Sequence, residues 1–326
     1  MPQNAAVIER ERTVVVLAGG LSHEREVSLR SGRRLATALR GAGADVREWD
    51  VDGSLVAQLR NDPPEAVVIA LHGGEGENGS VQAVLELLDV PFVGTSAQAC
   101  RAAWDKPTAK AELAGAGLDT PDWVALPHTT FRALGAQAVL DAMVDRLGLP
   151  LMVKPDQGGS ALGAQVVTAR SELPAAMVSC LAYSDTVLAE RFVRGTEVGV
   201  TVVDDGTGLR ALPPVEIDAR GGVYDYTARY TPGAVSFHCP ARLDATTLAR
   251  LEETALAAHQ LLGLRDVSRT DAVVDLDGRI QVLEVNVSPG ITETSLLPLS
   301  VRAAGMELGE LYSALVERAI ARRRST

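Results

Sequence analysis

The sequence predicts an α/β and α+β chain: an N-terminal parallel-sheet unit followed by two units of mixed sheet and helix. Three observations carry this. Apolar runs of strand length alternate with helical periodicity from residue 13 to residue 89. Near residue 105 the texture becomes strand, glycine-rich loop, strand. Longer strands, a hairpin and two closing helices follow from residue 197. The expected divisions are 1–104, 105–193 and 194–326, packed around a shared cleft, with no repeat or low-complexity linker between them.

The run TVVVLA (13–18) reads as a strand, stopped by Gly19 and Gly20, and 26–42 carries helical periodicity. A strand at 45–50, a helix at 53–60, the strand AVVIAL (66–71) and a helix at 80–89 continue the alternation. Such alternation implies a parallel sheet with its ligand loops at the strands' carboxyl ends. Helices are expected at 105–117 and 131–147, then the strands LMVK, AQVVT and TVLAERFV, with a glycine-rich loop after the first and a helix before the last. The final third reads as EVGVTVV, RALPPVEI, a helix at 243–263, the hairpin RTDAVVDLDGRIQVLEVN (269–286), and helices at 295–305 and 307–322.

At 326 residues and 46% hydrophobic, the chain can build packed cores. A net charge of -11 offers no basic stripe for a phosphate backbone, which argues against nucleic acid and for small-molecule partners. The polar start MPQNAAVIERER and the lack of a long apolar run argue against a signal peptide and a membrane span. Cys100, Cys180 and Cys239 are too scattered for a CxxC site and read as inert thiols in a reducing compartment. The expectation is a cytoplasmic protein. Of 31 basic residues only Lys106, Lys110 and Lys154 are lysine. A lysine kept against that bias fits a need for a compact point charge, with chance as the plain alternative.

The hairpin carries the strongest chemical signal. A two-residue turn at Asp277-Gly278 sets Asp271 opposite Glu284 and Arg269 opposite Asn286, all on one face beyond Val273 and Val282. Ala272, Val274, Leu283 and Val285 then face a core. Two carboxylates about 5 Å apart repel, so a cation should lie between them. Two acids and an amide, without histidine or thiolate, suit Mg2+ completed by water and phosphate oxygens. The alternative is an ion pair of Arg269 with one acid, and a bulged turn would shift the register.

The loop in VKPDQGGSALG, which includes Gly159, can bring backbone N–H groups close to phosphates, although no GxxxxGK[ST] motif occurs. Lys154 and Lys106 could neutralise those phosphates. Glu190 and Glu197, beside Phe192 and Val193, offer an apolar slot with carboxylate partners for an adenine and a ribose; solvated strand acids are the alternative.

The segments LAGGLSHEREVSLRSG, HGGEGENG, AWDKPTAK, LPLMVKPDQGGSALG, VLAERFVRGTEVGV, VYDYTARYTPG, SRTDAVVD and LEVNVSPGITETSLLP resemble those of the D-alanine:D-alanine ligases of the ATP-grasp superfamily. They stand in family order over nearly the whole chain, HGGEGENG being the most specific. The resemblance implies a three-domain ATP-grasp fold and ATP-dependent joining of two D-alanines through an acyl phosphate, for peptidoglycan. It implies that Lys106, Lys154 and Gly159 contact the ATP phosphates. Glu190, Phe192, Val193 and Glu197 would bind adenosine, and Asp271, Glu284 and Asn286 would hold two Mg2+ ions, for which Mn2+ can substitute. Arg269 and the Gly290 backbone would stabilise the oxyanion.

By the same resemblance Glu24 receives the first ammonium, and His72, at the second-substrate site, could help take the amine's proton. Ser295 and Leu296 clamp the second carboxylate. Plainer roles are a helix-terminal acid for Glu24 and an N-cap for Ser295. Tyr230, in a loop closing over the site, would bond towards Ser160 and Glu24, and in the family a tyrosine here accompanies D-alanine as second substrate. Arg229 beside it stands where lysine is usual. Gly158, Ala161, Thr270 and Val287 also depart from the family pattern and leave the second substrate open. The resemblance further suggests a homodimer. Competing readings are a ligase with another second substrate, a silent nucleotide-binding module, and a dinucleotide oxidoreductase, which lacks GxGxxG after the first strand.

Overall fold

The computed structural model describes residues 13–219, 224, 231 and 233–324. The first sheet contains β1 (Thr13–Ala18), β2 (Asp45–Asp50), β3 (Ala66–Ile69) and β4 (Phe92–Val93), all parallel, in the order β2-β1-β3-β4. Helices α1 (Arg25–Gly41), α2 (Leu55–Asn61) and α3 (Ser80–Leu87) connect them. Strands buried on both faces need continuous apolar runs, which is why TVVVLA and AVVI show no alternation. Val14 and Val16 face α1, whereas Val15 and Leu17 face α2 and α3. The loops after β1 and β3 therefore leave the sheet side by side at its carboxyl edge, where the strand order reverses.

Helices α4 (Ala97–Trp104) and α5 (Lys106–Gly115) follow; α4 was not anticipated. Asp105 ends one helix and caps the other, accepting from the Thr108 N–H at 2.8 Å. The second sheet has the order β5-β8-β6-β7, from β5 (Trp123–Pro127), β6 (Leu151–Pro155), β7 (Gln165–Val167) and β8 (Thr186–Arg191). The helix expected over 131–147 is two, α6 (His128–Leu134) and α7 (Ala136–Leu147), parted at Gly135. With α8 (Leu173–Leu181) they cover one face of this sheet. Alternation along β6 buries Leu151 and Val153 there and turns Met152 and Lys154 to the cleft.

The third sheet runs β12-β11-β9-β13-β14, with β10 also on β9. Its strands are β9 (Gly195–Asp204), β10 (Leu209–Ala211), β11 (Val215–Ala219), β12 (Val235–His238), β13 (Val267–Asp275) and β14 (Ile280–Asn286). Helix α9 (Ala245–Leu261) covers one face through Leu251 and Ala255, and the other face lines the cleft. After α10 (Leu296–Ala303), helix α11 (Leu308–Arg324) crosses back to the first sheet. Its Tyr312, Leu315, Val316 and Ala319 join the core around Val14, Val16 and Val68.

The hairpin corrects one expectation and keeps another. Asp275 donates its N–H to Arg279 O at 2.9 Å, so the turn has three residues, not two. That shifts the pairing to Ala272 opposite Val282. A bulge between Asp271 and Ala272 then restores Asp271 opposite Glu284 and Arg269 opposite Asn286. The side chains around the bulge exchange faces. Val282, not Leu283, is in the core, and Leu283 lines the cleft. The outward-facing backbone groups of Val282 on the edge strand β14 find partners in the loop after α5: Val282 N–H donates to Asp119 O at 2.8 Å, and Thr120 O–H donates to Val282 O at 2.7 Å.

Candidate active site

Two cavities meet in the cleft. One of about 510 Å³ lies between the second and third sheets. The other, of about 450 Å³, lies between the first sheet's carboxyl edge and the third sheet. Asp271, Glu284 and Gly159 line both, so the hairpin carboxylates stand at the junction. The outer cavity brings together Lys106, Lys154, Glu190, Phe192, Val193 and Glu197. The inner one gathers Glu24, His72, Ser160, Arg269 and Asn286, with Gly290, Ser295 and Leu296. Arg229 and Tyr230 lie outside the described residues.

The charges at the junction are paired. Arg269 forks onto Asp271, Nε to Oδ1 at 2.6 Å and Nη2 to Oδ2 at 2.8 Å, and Asn286 Nδ2 adds a bond to Oδ2 at 3.0 Å. Burial pushes the Arg269 guanidinium down, but Asp271 outweighs it and holds the group above its ordinary value. Lys106 Nζ lies 3.4 Å from Glu284 and donates to the Gly158 carbonyl at 2.6 Å. Each acid thus has a cationic side chain beside it, and the ion pair of Arg269 with one acid is present, buried rather than on the surface. The remaining donors are all oxygens, with fewer than three acids or histidines clustered among the described residues. Such a set suits a hard divalent ion completed by water and ligand oxygens. Gly199 of β9 permits the crowding, since a Cβ there would stand 2.4 Å from Leu296 Cδ1 and 3.3 Å from Asp271 Oδ1.

In the inner cavity Glu24 sits at the N-cap position of α1 but caps nothing; its carboxylate accepts from the Ser160 hydroxyl. Gly159 leaves room for this approach, since a Cβ there would fall 2.8 Å from Glu24 Oε2. Ser160 and Ala161 hold left-handed backbone, φ 52° and 56°, a strain typical of ligand-binding turns. Ser295 likewise occupies an N-cap without capping: its hydroxyl accepts from the Thr292 N–H at 3.0 Å.

His72 is buried with both ring nitrogens engaged. Ser288 O can only accept, so Nδ1, at 3.1 Å, carries the proton, and Nε2 accepts from the Ser31 hydroxyl at 2.8 Å. Burial, with Arg269 nearby, lowers its pKa to about 4, which leaves a neutral imidazole at pH 7.

Two participants escaped the sequence reading, and a third, Lys110, stood out there only as a rare lysine. Ser31 lies one helical turn beyond Ser28 and two beyond Glu24 on α1, a polar residue on an apolar face. Glu77 accepts from the Gly73 N–H at 2.9 Å, and burial, then Glu24, push its carboxyl above the ordinary range. In HGGEGENG nothing distinguishes it from Glu75, which is exposed. Lys110 lies behind the outer cavity. The expectation of inert thiols is met at Cys100 and Cys180, which burial pushes up to about 12.

A sequence profile described as D-ala D-ala ligase C-terminus matches residues 113–317. The chain is 38% identical over 304 residues to a D-alanine–D-alanine ligase of Nitrosomonas europaea, covering 93% of this chain and 96% of that protein. Among solved structures it resembles the D-alanine–D-alanine ligase of Bacillus anthracis complexed with ATP (TM-score 0.79, 27% identity, 97% and 99% of the two chains). It also resembles the VanG D-Ala:D-Ser ligase of Enterococcus faecalis (TM-score 0.80, 26% identity, 95% and 100%). Site, fold and sequence agree: the chain belongs to the D-alanine–D-alanine ligase family and has its ATP-grasp fold.

Proposed function

We propose that this protein joins two D-alanines at the expense of ATP, making D-alanyl-D-alanine for peptidoglycan in the cytoplasm, as a homodimer. The observation that carries the reading is the pair of cavities meeting at Asp271 and Glu284: a nucleotide-sized space and a space for two small zwitterions share one carboxylate wall. Segments 1–104, 105–193 and 194–326 divide the task, the first toward the amino acids and the other two around the nucleotide.

ATP enters the outer cavity, its adenosine among Glu190, Phe192, Val193 and Glu197. Its phosphates face Lys106, Lys154 and the Gly159 backbone. Asp271, Glu284 and Asn286 would hold two Mg2+ or Mn2+ ions, which supply charge neutralisation for the transferring phosphoryl group. Glu24, fixed by Ser160, receives the ammonium of the first D-alanine. Its carboxylate meets Arg269, which uses two of its N–H groups on Asp271 and keeps others for substrate. Transfer of the γ-phosphoryl to that carboxylate yields an acyl phosphate and ADP.

The second D-alanine sits with its carboxylate at Ser295 and Leu296. Its ammonium must shed a proton to water before attack; His72, with Nε2 already accepting from Ser31 and its pKa pushed down to about 4, stays a neutral positioning group at this site rather than the base the resemblance suggested. Attack by the amine forms a tetrahedral centre whose oxyanion Arg269 and the Gly290 N–H stabilise, and phosphate leaves.

Incubating the protein with ATP, Mg2+ and D-alanine tests this; ADP, phosphate and the dipeptide mass are expected in equal amounts, and none of them overturns it. The likeness to a D-Ala:D-Ser ligase favours one second reading, a different second substrate. Product masses from D-serine and D-lactate competed against D-alanine separate the two, and size-exclusion chromatography checks the dimer.

A further inference from the structure

Lys110 is one of the three lysines, yet it lines neither cavity, and the reaction just described does not use it. Its ammonium is held on every side. Nζ lies 3.0 Å from Glu190 Oε2, donates to Thr120 Oγ1 at 2.5 Å, and stands 5.3 Å from the centre of the Trp123 ring. Three N–H donors thus meet a carboxylate, a hydroxyl and an aromatic face. Glu190, with its side chain 3% exposed, receives a second cation on its other oxygen: Lys154 Nζ at 2.5 Å from Oε1. Burial pushes the Glu190 carboxyl up, but Lys154 and Lys110 together hold it below its ordinary value. Lys110 is itself lowered to about 8, chiefly by burial.

The two lysines differ in freedom. Lys110 is tied through Thr120 to the bulge of β14, whereas Lys154 reaches the wall of the outer cavity. A buried carboxylate stripped of its cation is strongly unfavourable. If Glu190 had Lys154 alone, moving that lysine to an incoming phosphate would leave an uncompensated buried charge.

We propose that Lys110 is a positioning residue for nucleotide binding: it neutralises Glu190 permanently, so that Lys154 can leave Glu190 and meet the phosphates. This rests on the reading of the outer cavity as the ATP site. Without Lys110 the protein should keep its fold but grip Lys154 on Glu190 and bind ATP poorly.

The test is a double-mutant cycle read by calorimetric binding of ATP with Mg2+ to the full chain: wild type, Lys110→Met, Glu190→Gln, and both together. Lys110→Met is expected to weaken binding by about ten-fold or more. In the Glu190→Gln background, where no carboxylate holds Lys154, the same change should cost less than about three-fold. Equal losses in both backgrounds, or none in either, overturn the proposal. Should Lys110→Met alone fail to fold, Lys110→Gln takes its place in both arms of the cycle: a loss of about ten-fold confined to the Glu190 background supports the proposal, and equal losses or none overturn it. A wild type that binds no ATP refutes instead the nucleotide site on which the inference rests.

Discussion

At the scale of single residues, the site is a set of charges that satisfy one another before any substrate arrives. Asp271 accepts three hydrogen bonds, two from Arg269 and one from Asn286, with almost no exposure to water. Asp271→Asn removes a metal ligand of the proposed mechanism and leaves Arg269 without its anion. Turnover is expected to fall by about a hundred-fold or more, with ATP affinity changed by less than about five-fold, in steady-state and binding assays. Stability should drop by about 3 kcal/mol in urea titrations. Most of these side chains were legible in the sequence because strand alternation gathers Arg269, Asp271, Glu284 and Asn286 on one face. Glu77 and Ser31 were not, and Lys110 showed only by its rarity, because their importance comes from partners remote in sequence: Glu24, His72 and Glu190.

At the scale of elements, two irregularities decide where the chemistry points. The three-residue turn and the bulge near Leu283 offset each other, which is why a register derived from the wrong turn still paired the right residues. Sequence patterning shows neither, since apolar Val282 and Leu283 look alike as strand residues while facing opposite ways. The second irregularity is an absence of side chain, Gly199 in the middle of β9. Gly199→Ala would push its new methyl into Leu296 and towards Arg269. A loss of about 2 kcal/mol is expected by chemical denaturation. Because Leu296 belongs to the proposed second D-alanine site, KM for that substrate should rise more than KM for ATP in initial-rate assays.

At the scale of the whole molecule, the sequence showed three sheet regions and most helices, but not that α11 packs against the first sheet. Amphipathic helices reveal an apolar face, not which distant sheet it covers. Stability also has a global pH signature. His259, buried under β13 with Nδ1 2.7 Å from Ser268 Oγ, is lowered by burial to about 4 from its ordinary value of 6.5. The unfolded chain takes up its proton as pH falls through 6.5, whereas the native protein waits until about 4, so stability declines across that window. His72 acts in the same sense, and the raised carboxyl of Glu77 in the opposite one, losing its contribution as pH rises. His259→Asn should therefore flatten the acid side, reducing the loss between pH 6.5 and 4 by about 3 kcal/mol relative to wild type, as read from urea unfolding at a series of pH values.

The return of α11 to the first sheet bears on how the molecule is made. Val14, Val16, Ala66 and Val68 leave the ribosome early, yet the helix that completes their cover, Leu308–Arg324, is translated after every other described element. Until then that flank of the parallel sheet is incompletely sheltered, the situation in which nascent chains recruit chaperones or aggregate. The loops at the sheet's carboxyl edge thus reach their final setting only once α11 has been made and has docked, after every other described element.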